Sequence, residues 1–159
     1  MVETTPIRGI PAMDTVRWER MTNLDTAAFA RDLARSALDK LATDVRVVDL
    51  REVVSYTDFF VVCTGANTRQ TKAIGEHVVG QMQELGHKRP RRRESDPEGT
   101  WLLLDYIDVV LHVFTPESRE FYRLESLWGQ VPQETIEDDG GAGAEQRDVT
   151  TAGSDGSRA

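Results

Sequence analysis

The chain has a single cysteine, Cys63, among 159 residues. One thiol excludes an internal disulfide and is too few for a thiolate metal site, a usage that fits a reducing compartment. Long apolar runs are also missing. None approaches the roughly 20 residues that cross a bilayer, and the opening "MVETTPIRGIPAMDTVRWER" lacks the continuous apolar core of a signal peptide. The expectation is a cytoplasmic protein with no membrane partner. Positive charge is in deficit, with 19 Lys and Arg against 27 Asp and Glu and a formal net charge of -8. That balance argues against binding nucleic acid by overall electrostatics, which needs a positive footprint.

Familiar catalytic signatures are scarce too. His77, His87 and His112 have no metal-ligand spacing to one another or to Cys63, so no metal site is expected. Cys63 itself reads as a small buried residue in a strand. Gly65 in "TGANTRQ" stands between a strand and a helix, where free N–H groups can hold an anion, but the segment lacks the glycine spacing of a phosphate loop or a dinucleotide fingerprint. A structural turn is the better reading.

What is present suffices for one domain with its own core. The first 22 residues, with Pro6, Gly9 and Pro11 and no period, read as a flexible extension. Residues 132–159 read as an acidic disordered tail, because so little apolar surface cannot offset the entropy of ordering. From Glu134 onward seven acids stand against two arginines, a balance of -5, so the domain between, residues 23–131, is only mildly acidic.

Within that domain, Phe29, Leu33, Ala37, Leu38 and Leu41 recur at helical spacing after Asp25 or Thr26 as N-cap. "VRVVDL" (45–50) and "FFVVCT" (59–64) are strands by their β-branched and apolar content. Asn67 and Gln70 can form a capping box for a helix that runs through Ile74, Val78, Met82 and Leu85 to Gly86. "TWLLLD" and "VVLHVF", separated by "YID", predict a hairpin. Thr115 and Pro116 open a last helix with the apolar stripe Phe121, Leu124, Leu127 and Trp128, closed by Gly129 and Pro132. The order αββαββα implies an α/β fold of the α+β-like kind, a mixed sheet with helices packed on it.

Two stretches carry polar groups worth weighing. "HKRPRRR" (87–93) can touch phosphate, although a solvated face is the commoner role of such a run and acids follow at Glu94, Asp96 and Glu98. In the hairpin, strand parity sets Leu102, Leu104, Val109, Leu111 and Val113 on one face. Trp101, Leu103, Asp105, Val110, His112 and Phe114 fall on the other. Burying that carboxylate and imidazole without partners would cost about 1 to 3 kcal/mol each. Either helices cover the second face and satisfy them, or it is partly open to another molecule.

Three blocks, "TDFFVVCTGANTRQTKAIGEHV" (57–78), "WLLLDYIDVVLHVF" (101–114) and "REFYRLESLWG" (119–129), in this order and spacing, resemble the ribosomal silencing factor family, also called Iojap or RsfS. The resemblance spans roughly residues 24–130. It implies a domain of nucleotidyltransferase-like topology that binds the large ribosomal subunit at large-subunit protein fourteen. It further implies steric block of small-subunit joining, repressing translation without enzymatic chemistry, catalytic residues or a cofactor. The contact surface it implies is the tryptophan-led hairpin, at Trp101, Leu103, Asp105, Tyr106, Asp108 and His112. Trp101 and Tyr106 would supply anchor area, and Asp105 and Asp108 would pair with Lys or Arg of a basic ribosomal protein. Arg91, Arg92 and Arg93 are the candidates for a peripheral ribosomal RNA contact. The sequence departs from the family at Ile107, where relatives carry a turn glycine, and at Glu94 and Ser95, where they often show "EG". Two other readings stand beside this one. The first is a nucleotidyltransferase-like enzyme holding Mg²⁺ on Asp105 and Asp108. The second is a protein-binding module with another partner, working as a homodimer.

Overall fold

The computed structural model describes residues 15–138, with side chains from residue 25 onward. Helix α1 spans Thr15–Asp39. It begins ten residues before the predicted cap, so Asp25 and Thr26 lie inside the helix. A cap contributes only about 1 kcal/mol, and a stretch free of Gly and Pro propagates through such a signal when its far end is packed. The predicted extension of residues 1–22 is therefore part helix, and residues 1–14 lie outside the described residues. Ala30, Leu33, Ala34 and Ala37 share one face and are fully buried, the three alanines letting α1 lie close to the sheet.

Strand β1, Thr43–Asp49, runs antiparallel to β2, Phe59–Thr64. Helix α2, Thr68–Glu84, starts as predicted: Gln70 N donates to Asn67 Oδ1 at 2.9 Å, and Ala66 N donates to Gln70 Oε1 at 3.1 Å. It ends at Gly86, whose φ of +91° lets His87 N reach back to Met82 O at 2.9 Å. Gly75 marks the closest approach of α2 to the sheet, since a Cβ there would stand 2.1 Å from Leu102 Cδ2.

The hairpin forms as predicted from β4, Trp101–Asp105, and β5, Val109–Phe114. β5 also pairs in parallel with β2, which makes both central strands and explains their unbroken apolar runs. Two further strands, β3 (Arg92–Ser95) and β6 (Gln133–Ile136), complete a six-stranded mixed sheet of order β3-β4-β5-β2-β1-β6. Neither was legible in the sequence. β3 sits within the charged run and the polar stretch after it, and every residue in it is exposed; an edge strand tolerates that because the ladder, not side-chain burial, holds it. β6 corrects the boundary drawn at residue 131: it pairs with β1 and buries Ile136, so the sheet continues into the segment assigned to the tail. Residues 139–159 lie outside the described residues.

The α/β architecture thus holds, with two unequal layers on the sheet. α1 and α2 cover one face and enclose the larger core, including Val61, Cys63, Ile74, Val78, Leu104 and Leu111. The other face, built on Val48, Leu50, Phe60, Val62, Val110 and Phe114, is covered thinly. The predicted last helix begins as expected, with Thr115 Oγ1 accepting from Ser118 N and Pro116 at the first turn. It then breaks in two, α3 (Pro116–Tyr122) and α4 (Leu124–Leu127), because Arg123 adopts a left-handed conformation with φ of +45°. The break rotates the apolar stripe out of phase. Leu124 and Trp128 still pack on the second core, whereas Phe121 and Leu127 are 80% and 69% exposed.

Candidate functional site

The six hairpin residues singled out from sequence do not form one patch. Trp101, Leu103 and His112 meet on the thinly covered face, where Leu103 is directly opposite His112 in the ladder. Trp101 lies half-buried, stacked on Phe114 at 5.1 Å between ring centroids and against Tyr122 at 4.6 Å. Its Nε1–H donates to His112 Nδ1 at 3.1 Å. A neutral imidazole that accepts at Nδ1 carries its proton on Nε2, and that atom is buried with no partner among the described residues. Burial depresses the His112 pKa to about 3, so the ring is neutral at physiological pH.

Asp105 follows the same strand parity but is only 5% exposed. Its carboxylate accepts from Arg91 Nη2 at 2.8 Å and from Ile107 N at 2.7 Å, and Arg92 Nη2 lies 3.7 Å away. Burial alone would raise its pKa. The Arg91 and Ile107 hydrogen bonds and the two guanidinium charges outweigh that and hold it below the usual carboxylate range. Asp105 therefore organises the turn from within.

Ile107 keeps a left-handed backbone, with φ of +78°, a conformation that favours glycine. Asp108 N donates to Tyr106 O at 3.0 Å, closing a γ-turn of the rarer hand, and Tyr106 N donates to Val109 O at 2.9 Å. The turn is anchored from outside as well. Asp108 O accepts from Asp58 N, Phe59 N and Thr57 Oγ1 at 2.8, 3.1 and 2.9 Å. Tyr106 leaves the second face altogether and packs its ring edge-on to Phe29 of α1 at 5.2 Å, while the Asp108 side chain is exposed at the tip.

The three arginines divide as well. Arg91 and Arg92 are engaged by Asp105 and Glu94. Arg93 lines a separate cavity of about 610 Å³ beside the start of α2, together with Arg69 and Lys72 but also Glu94, Asp96 and Glu98. Among the described residues no group of three or more His, Cys, Asp or Glu is placed to hold a metal ion. The Cys63 thiol is fully buried and its pKa is pushed up to about 12, which leaves it protonated and unreactive. No described helix is long and apolar enough to cross a membrane.

Sequence reasoning missed the neighbours that extend the Trp101 patch. Tyr122 and Phe121 touch edge-on at 5.0 Å, and Tyr122, 43% exposed, links Phe121 to Trp101. An apolar stripe on a helix is read as buried, and nothing in the sequence marked Arg123 as the break. Also missed was Arg119, which is 8% exposed and ties α3 to the sheet and to α4. Its Nη1 donates to Asp44 O at 2.6 Å and Thr64 Oγ1 at 2.8 Å, and its Nε donates to Glu125 Oε2 at 2.8 Å.

Comparison with known proteins gives this geometry a family. A family model described as "Ribosomal silencing factor during starvation" matches residues 23–158. The ribosomal silencing factor RsfS of Bacillus subtilis is 36% identical over 94 residues, covering 59% of this chain and 79% of its own. The chloroplastic protein Iojap of Zea mays is 38% identical over 125 residues, and a mouse protein named for mitochondrial assembly of the ribosomal large subunit is 32% identical over 131. The chain spans about half the length of these last two, 52% and 55%. A crystal structure from Bacillus halodurans, 30% identical, superposes with a TM-score of 0.59 over 69% of this chain and 99% of that one. The chain belongs to the ribosomal silencing factor family.

Proposed function

We propose that this protein binds the large ribosomal subunit through large-subunit protein fourteen and blocks joining of the small subunit by occupying the interface, so repressing translation. The reading takes its partner from the family and its surface from one observation. The thinly covered sheet face presents a continuous run of aromatic and aliphatic groups, Trp101, Leu103, Tyr122 and Phe121, at its rim. Partly buried anchors held by neighbours, as Trp101, Leu103 and Tyr122 are, carry most of the energy in protein interfaces, and the exposed Phe121 extends their apolar area. Asp108 at the hairpin tip has its side chain exposed and is suited to meet a Lys or Arg of a basic partner, whereas Asp105 contributes by shaping the turn. His112 supports Trp101 from below and need not touch the partner. The activity is occlusion, with no bond made or broken.

Sedimentation of purified subunits under association conditions tests this. The protein should travel with the large subunit and reduce the joined particle. Phe121→Glu with Leu127→Glu, both at exposed positions, should leave the melting temperature nearly unchanged and weaken both effects at least tenfold. Migration of the unaltered protein at the top of the gradient, with joining unaffected, would overturn the proposal. A mass of twice the chain, lost in the same double variant, would instead assign the face to a second copy.

A further inference from the structure

On the side of the molecule away from the Trp101 face, a cleft of about 400 Å³ opens between α1, the α2–β3 loop and the hairpin turn. Its three walls differ in chemistry. The loop supplies Lys88, Arg89 and Arg91, and of these only Arg91 has an ion-pair partner among the described residues. Three rings line the interior: His87 lies 4.6 Å from Phe29, and Tyr106 packs edge-on to Phe29 at 5.2 Å. The carboxylates, Asp25 on α1 and Asp108 on the turn, stand on the other two walls. Cations on one side, π-faces within and acceptors opposite match the parts of a ribonucleotide: phosphate, base and ribose hydroxyl.

We propose that this cleft binds single-stranded RNA, with a phosphate on Lys88 and Arg89, an unstacked base against His87 and Phe29, and a ribose 2′-hydroxyl donating to Asp25. The site differs from the three arginines the sequence pointed to, because Arg91 and Arg92 are largely neutralised by their own carboxylates. It deepens the ribosome reading and rests on it for the source of the RNA, exposed ribosomal RNA beside the protein partner. The overall acidity of the chain confines the contact to this patch and predicts modest affinity with a shallow salt dependence, as expected of so few phosphate contacts.

The test uses the full chain and a fluorescein-labelled ten-nucleotide RNA without ribosomes, so a failure here leaves the subunit-joining result untouched. Anisotropy should show binding that weakens with salt. Lys88→Ala with Arg89→Ala should lower affinity at least tenfold and reduce the slope of log affinity on log salt by about 0.7, the value for one phosphate contact on a single strand. His87→Ala should lower affinity several-fold and leave that slope unchanged, which separates stacking from charge. DNA of the same sequence should bind several-fold more weakly. Absence of binding, unchanged affinity in both variants, or equal binding of RNA and DNA would overturn the assignment. The thermal melt of the Lys88 and Arg89 variant should match the unaltered protein, since both side chains are exposed, whereas His87→Ala should melt slightly lower because it loses its contact with Phe29 and its ion pair with Asp32 at 3.8 Å.

Discussion

The indole of Trp101 donates its N–H to Nδ1 of His112 across the β4–β5 ladder, 3.1 Å apart, and thereby fixes both the tautomer of the buried imidazole and the pose of the exposed tryptophan rim. One hydrogen bond thus couples the protonation chemistry of the second core to the surface proposed to meet the ribosome.

That coupling has a pH signature. His112 has a folded pKa of about 3 against an ordinary 6.5, so in that window the unfolded chain binds a proton the folded chain refuses. Stability is therefore full above about pH 6.5 and falls as the pH drops toward about 3, by at most about 1.4 kcal/mol per unit. In chemical denaturation between about pH 4 and pH 6, His112→Leu should flatten the pH slope of stability. An unchanged slope would show that His112 does not titrate this way.

Ile107 is β-branched at positive φ and half-exposed, so it stores strain and buries little in return. Replacing it by glycine should raise stability by about 1 kcal/mol, the relieved strain exceeding the added entropy of the unfolded chain. Denaturant midpoints of the two forms decide the sign.

Arg119 is clasped by Glu125 in a site where both side chains are mostly buried, 9% and 15% exposed. Arg119→Met would leave Glu125 without its partner and free the carbonyl of Asp44, at a cost of about 3 kcal/mol. Hydrogen exchange should show the amides of 123–128 losing protection first, while β2 and β5 keep theirs.

Two glycines of α2 should respond in opposite directions. At Gly75 a methyl group would meet Leu102 at 2.1 Å, and overpacking of about 1 to 3 kcal/mol outweighs the gain of about 1 kcal/mol in helix propensity. At Gly80 a Cβ meets nothing within 4 Å, so Gly80→Ala should stabilise by up to about 1 kcal/mol. Parallel thermal melts of the two variants test both.

The central strands, α2 with its capping box, and the hairpin could all be read from the chain because each is defined by neighbours in sequence. Apolar runs mark β2 and β5, Asn67 and Gln70 mark a helix start, and "YID" between two apolar segments marks a turn. The facing sets Leu102, Leu104, Leu111 and Trp101, Leu103, His112 follow from the two-residue period alone. The edges of the sheet could not be read this way. β3 and β6 have little apolar content of their own, and their strand character comes from an open ladder on β4 and β1.

The candidate surface divides along the same line. Sequence determined which residue types are available: Trp101, Tyr106, the paired acids and the cluster of arginines. Only the tertiary structure decided their tasks. It turned Asp105 inward onto Arg91, sent Tyr106 to the opposite face, and left Lys88 and Arg89 without an ion-pair partner among the described residues, beside three rings. By breaking the last helix at Arg123 it also brought Phe121 and Tyr122 into the open next to Trp101. The reason is that local pattern sets a residue's direction on its own element, whereas its partners come from segments far away in the chain.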